Sequence, residues 1–102
     1  MNAAAEAQTP RALTLDVNEG RDQVTISLIA LSPVQQKISY DVQLTGSSQA
    51  RHKGSMTISA STRQVLSTMS SSAGNRWCAR VEVREEKLEP YTLLAGSCSD
   101  SN

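Results

Sequence analysis

The sequence predicts an all-β chain, an immunoglobulin-like antiparallel β-sandwich of about seven strands. Three observations carry this. Apolar residues alternate with polar ones over short runs, and seven such runs recur at intervals of roughly 10–14 residues. No stretch shows the apolar spacing of a convincing helix. Ser and Thr together make 23 of the 102 residues, a composition that favours strands and turns. A small barrel is the alternative architecture.

The first run alternates Leu13, Leu15 and Val17 with Thr14 and Asp16, and ends at Asn18-Glu19-Gly20. The second places Val24, Ile26, Leu28 and Ala30 on one face, with Thr25 and Ser27 on the other, before Pro33 breaks the ladder. The third sends Ile38, Tyr40, Val42 and Leu44 inward and Lys37, Ser39, Asp41 and Gln43 to solvent. Gly46-Ser47-Ser48 then opens a polar stretch, read as a loop through Arg51, His52 and Lys53. Met56, Ile58 and Ala60 mark the fourth strand, and Gln64 to Met69 the fifth, without strict alternation. Ser70 to Arg76, with Gly74-Asn75, reads as a turn. The last two strands are Trp77 to Glu85 and Tyr91 to Cys98, joined through Glu86, Lys87, Leu88 and Glu89. The expected core includes Leu15, Ile26, Leu28, Tyr40, Val42, Trp77, Val81 and Leu93.

Chain length fits one domain. The layout expected is a flexible leader over 1–10, a sandwich over 11–98 and a loose tail over 99–102. The leader lacks the basic start and apolar centre of a signal peptide, so it reads as the mature end of an exported chain or, equally, as a cytosolic leader. Ten Lys+Arg balance ten Asp+Glu, which removes the electrostatic case for nucleic acid or an anionic membrane as main partner. No apolar run approaches the roughly 20 residues of a spanning helix. Apolar residues are 38% of the chain and Phe is absent, so a thin core must be built mainly from Val, Ile, Leu and Met.

Pairing the last two strands with Val83 opposite Leu93 and Val81 opposite Ala95 sets Cys78 opposite Cys98, within disulfide reach. Such a bridge indicates an oxidising compartment, whereas two reduced thiols beside a frayed strand end are the alternative. Two cysteines and one histidine cannot complete a structural zinc site within one chain.

Motifs for catalysis are missing. His52, the sole histidine, lies between Arg51 and Lys53 and reads as solvated. There is no GxSxG elbow, and the five glycines stand singly, so no phosphate loop forms. Glu85, Glu86 and Glu89 read as a solvated hairpin tip rather than an acid/base pair. The charge pattern is more informative. If the third and sixth strands are neighbours, Lys37, Arg80 and Arg84 share one outward face, with Arg51 and Lys53 on the adjoining loop. Asp41 and Glu82 interrupt the stripe. The ordinary reading is a mixed-charge surface that keeps a sheet soluble.

Several of these residues, in order, resemble the CsgC-like family of curli chaperones, in particular its alphaproteobacterial CsgH branch. They are the strand ISYDVQL, Gly46-Ser47-Ser48, the pair Gly54-Ser55, a Ser-rich loop before Gly74, the strand CARVEV and the terminal Gly96-Ser97-Cys98. The run TISLIALSP fits the family's second strand, and the likeness extends from about residue 11 to 98. It implies a small periplasmic sandwich, monomeric and free of cofactors, that suppresses amyloid nucleation by the unfolded major curli subunit. Lys37, Arg80 and Arg84, then Arg51 and Lys53, are the client-binding candidates, chosen by facing and charge. Some relatives carry a Cys-x-Cys pair described as redox-active. This sequence has only Cys78 and Cys98, which fit a structural bridge better. Two other readings stand beside it: a structural module of a surface fibre or adhesin, and a thiol-disulfide enzyme built on the two cysteines.

Overall fold

The computed structural model describes residues 11–46, 49–72, 76–86 and 88–98. The expected leader, tail and Gly74-Asn75 turn lie outside these residues. Seven strands follow in order: β1 Leu13–Glu19, β2 Gln23–Ala30, β3 Gln36–Thr45, β4 Gln49–Ile58, β5 Gln64–Ser72, β6 Cys78–Glu85 and β7 Tyr91–Gly96. They form two antiparallel sheets, β1-β2-β5 and β4-β3-β6-β7. The immunoglobulin-like sandwich predicted from the alternation is therefore present. It departs from the constant-type order, because the fourth strand joins the third and not the fifth.

Between the sheets lie Val24, Ile26, Leu28 and Ala30 of β2, Ile38, Tyr40, Val42 and Leu44 of β3, and Ala79, Val81 and Val83 of β6. Leu13, Ile58, Trp77 and Tyr91 complete the buried set. Leu15 and Leu93, expected in the core, sit partly buried at its margin because β1 and β7 are edge strands.

Four local expectations are corrected. Residues 51–53 do not form a loop; β4 begins at Gln49 and pairs with β3 without interruption from Thr45–Gln49 to Gln36–Ile58. Second, β5 continues to Ser72, through what reads as turn. Its hydroxyls find partners on β2: Ser70 Oγ lies 2.8 Å from Thr25 Oγ1, and Thr68 Oγ1 lies 3.3 Å from Ser27 Oγ. Cross-strand hydroxyl pairs thus hold a segment whose composition alone argues for a turn. The broken alternation between Gln64 and Met69 is a β-bulge, since Leu28 faces Ser67 and Ile29 faces Val65, leaving Leu66 unmatched. The Tyr40 hydroxyl donates to that residue's carbonyl at 3.3 Å.

Third, the last hairpin is tighter by two residues: Val83 faces Tyr91, Val81 faces Leu93 and Cys78 faces Gly96. The disulfide between Cys78 and Cys98 nevertheless forms, with Cα atoms 4.8 Å apart. The chain turns back at Gly96, whose φ of 84° suits a residue without Cβ. An added Cβ there would also stand 2.7 Å from Trp77 Cε3. The Ser97 amide donates to the Trp77 carbonyl at 2.7 Å and so brings Cys98 level with β6.

Glu85 is not part of a solvated tip. It is buried, whereas Glu86 and Glu89 are exposed. Its carboxylate accepts the Tyr91 hydroxyl and the Ala12 amide, the latter at 2.9 Å, and the Gln36 side-chain amide at 3.4 Å. The Leu13 amide donates to the Tyr91 oxygen, and the Arg11 guanidinium lies 4.4 Å above the Tyr91 ring. At the other end of β1, Trp77 Nε1 donates to Glu19 at 2.9 Å. Both ends of β1 are thereby fastened to the four-stranded sheet. Burial, reinforced by the hydrogen bond to Glu85, pushes the Tyr91 phenol well above its usual range.

Two outcomes follow. Glu85→Ala orphans two buried donors and is expected to cost about 3 kcal/mol in urea unfolding, against under about 0.5 for Glu86→Ala. Because the folded pKa of Tyr91 is raised, the unfolded chain loses that proton first. Stability is intact below about pH 10 and falls as pH rises beyond it, a decline that Tyr91→Phe should reduce in alkaline melting curves.

Candidate functional site

Residues directly opposite in an antiparallel ladder share a face, so the pairing lists the outer surface of the four-stranded sheet. Across β4, β3 and β6 run the rows Arg51–Gln43–Arg80, Lys53–Asp41–Glu82 and Ser55–Ser39–Arg84. Lys37 stands two residues beyond Ser39 on the same side, and its amide donates to Glu86 Oε1 at 2.9 Å. All five sequence candidates, Lys37, Arg51, Lys53, Arg80 and Arg84, are exposed and lie on this face. Placing Arg51 and Lys53 on a strand rather than a loop brings them into the array more firmly than expected. The signal was available: Arg51, Lys53, Ser55 and Thr57 alternate with Ala50, Met56 and Ile58.

The carboxylates on the face are largely taken up by arginines. Arg51 grips Asp41 with both prongs, Nε to Oδ1 at 3.0 Å and Nη2 to Oδ2 at 2.7 Å. This hydrogen bonding holds the Asp41 carboxyl below its usual range, and Asp41 in turn raises Arg51. Arg80 Nε lies 3.5 Å from Glu82, a looser exposed contact. Lys37, Lys53 and Arg84 make no ion pair within 4 Å of a described acidic group. An open trough of about 590 Å³ crosses the sheet among these side chains. Its lining includes the small hydroxyls of Ser39, Ser55 and Thr92, with Lys53 and Arg84 at the sides. The arrangement sets cations without an ion pair among the described residues beside a trough that mixes small hydroxyls with apolar surface from Val83, Pro90 and Tyr91. It offers no nucleophile–base pair, and no cluster of His, Cys, Asp and Glu that could hold a metal occurs among the described residues.

His52 is also on a strand, on the side of β4 turned toward the other sheet. Its ring meets Tyr40 edge-on at 5.5 Å, and Nδ1 lies 2.8 Å from Ser67 Oγ of β5. It therefore bridges the two sheets at their β4–β5 side. No helix among the described residues is long and apolar enough to cross a membrane.

No protein-family model matches the chain, and no curated protein matches it in sequence. Solved structures do. The E. coli curli protein CsgC superposes with a TM-score of 0.61 at 15% identity, over 83% of this chain and 97% of that one. The chain has the CsgC/CsgH fold. The solution structure of R. palustris CsgH agrees, with a TM-score of 0.57 at 16% identity, over 82% of this chain and 89% of CsgH. Both comparisons span nearly the whole of the CsgC-like sandwich. They match the fold to which the ordered small-residue and strand motifs point.

Because the five cations are exposed, replacing Lys37, Arg80 and Arg84 together by Glu should move the unfolding free energy by less than about 1 kcal/mol. Asp41 has a depressed folded pKa. Its pairing is complete above the unfolded value near pH 4 and is lost as pH falls through the lower folded value, releasing Arg51. A carboxyl NMR titration should show the Asp41 signal moving below the usual carboxylate range, and Arg51→Ala should bring it back toward that range.

Proposed function

We propose that the chain is a periplasmic, chaperone-like inhibitor of amyloid nucleation by the unfolded major curli subunit. It acts as a monomer, without cofactor or turnover, through weak, transient and partly electrostatic contact. The observation that carries this reading is the fold shared over most of its length with a curli protein, joined to the sequence resemblance to the CsgC-like chaperones. The Cys78–Cys98 bridge fits an oxidising compartment such as the periplasm.

The outer face of the four-stranded sheet supplies the mechanism. Amyloid nuclei form when polar segments of separate chains meet in extended conformation. A rigid surface with Lys37, Lys53 and Arg84, which make no ion pair among the described residues, flanked by Arg51 and Arg80, steers a flexible chain toward itself and holds it briefly. Contact with scarce nuclei suffices to delay fibres, so the inhibitor works below equimolar amounts. Screening by salt weakens the steering.

A thioflavin-T time course of the curli subunit tests the reading. The lag is expected to lengthen at well below one-to-one stoichiometry, and to lengthen less at high salt. In the Lys37, Arg80 and Arg84 to Glu variant the extension should shrink while the fold is kept. A variant as effective as the parent at both salt concentrations rejects the basic face. A parent without effect at any ratio rejects the chaperone reading and turns attention to a fibre module, which self-association at micromolar concentration would support.

A further inference from the structure

Four strands lie at sheet edges, and three of them are shorter, bulged or anchored to other elements at their ends. β1 is fastened at both ends to the opposite sheet through Glu85, Tyr91 and Trp77. β5 is bulged, and the Tyr40 hydroxyl takes its Leu66 carbonyl. β7 has six residues and its end is tied back to β6 by the disulfide. β4 differs. It runs for ten residues, roughly 30 Å, contains no proline and pairs with β3 in unbroken register. Its far side offers a regular row of backbone donors and acceptors.

We propose that β4 is a docking edge that accepts an extended segment of an unfolded chain as an added strand. The segment it fits alternates acidic with apolar residues. The inference rests on the chaperone reading for the kind of partner and adds the element and the mode of contact. Its outward side chains would stand beside Lys53, which has no ion pair among the described residues, and beside Arg51, which a carboxylate would share with Asp41. On the other side they would lie beside Ala50, His52 and Met56, which are incompletely covered by the sheet opposite. Apolar side chains there extend the sandwich interior by one strand. Backbone pairing supplies affinity, and the alternating side chains supply selection.

The same cations argue against a second copy as the occupant. Two β4 edges laid together bring Arg51 and Lys53 against like charges, an arrangement that destabilises a strand pair. The edge is thus built to refuse itself and to take an acidic strand.

The test uses the full chain labelled with ¹⁵N and a decapeptide of alternating Asp and Val. Three further peptides serve as controls: one N-methylated on every Val, one N-methylated on every Asp, and one with Lys in place of Asp. The Asp/Val peptide is expected to shift amides of Gln49–Ile58 selectively. One methylated form should bind at least about tenfold more weakly and the other should not, because a strand presents only one set of alternate amides to its neighbour. The Lys/Val peptide should bind the parent weakly and prefer the Arg51→Glu/Lys53→Glu variant. Equal binding of both methylated forms, shifts centred on β5 or β7, or self-association that shifts β4 amides would each overturn the proposal. If the peptide binds β4 but the curli lag is unchanged, the function fails and the docking edge stands. A lengthened lag with no β4 response leaves the function and removes the edge.

Discussion

Strand register between β3 and β6 is the constraint on which the molecule rests. The pairs Tyr40–Val83, Val42–Val81 and Leu44–Ala79 fill the interior between the sheets. Because side chains alternate with period two, seating those pairs forces Ser39–Arg84, Asp41–Glu82 and Gln43–Arg80 to the other side. A slip of β6 by one residue would bury Arg80, Glu82 and Arg84 and expose Val81 and Val83. Interior and charged face are consequently one decision made twice. The outer residues are free to vary in kind, since they contribute little to folding, but not in position.

Polar groups divide between two tasks. At the ends of β1 they fasten sheet to sheet, with a buried carboxylate at one end and an indole–carboxylate contact at the other. On the outer face they tune charge, because each arginine that engages Asp41 or Glu82 leaves a neighbouring cation unopposed. Here the paired residues matter for function by what they remove. Asp41 and Glu82 carry formal charge equal to two of the cations, yet the trough beside Lys53 and Arg84 is bordered by carboxylates already engaged by arginines.

Much of this was legible in the sequence. Clean alternation over β2, β3 and β6 specifies their inner residues, and the shared face of β3 and β6 follows on the condition, met here, that the two strands are neighbours. The array of cations followed from that adjacency. What the sequence did not disclose required knowledge of partners across space. A serine-rich stretch reads as turn until β2 supplies hydroxyls for it, and a bulge at Leu66 disrupts the periodicity that would have marked β5. Arg51 and Lys53 follow Gly46-Ser47-Ser48 in the sequence and have polar neighbours, so composition outweighs an alternation that continues to Ile58. Glu85 has the composition of a hairpin tip, and only the approach of Ala12 and Tyr91 shows it to be interior. Alternation leaves the hairpin register open by two residues, because Val83 faces an inward residue whether it meets Leu93 or Tyr91, and the turn at Gly96 delivers Cys98 in the tighter register.

The Glu85 junction also bears on when the protein becomes itself during synthesis. Its hydrogen bonds join Ala12 and Leu13 to residues 73 and 78 positions later in the chain. β1 cannot settle until the hairpin that carries its acceptors has been made. Local pairs such as β3 with β4 can form early, but closure of the sandwich waits for almost the last strand. Topologies dominated by distant pairings fold on the order of milliseconds to seconds, slower than helical bundles of equal size. A chain emerging N-terminus first from a narrow channel therefore stays open and threadable until nearly all of it is through. Its completed form arises only on the far side.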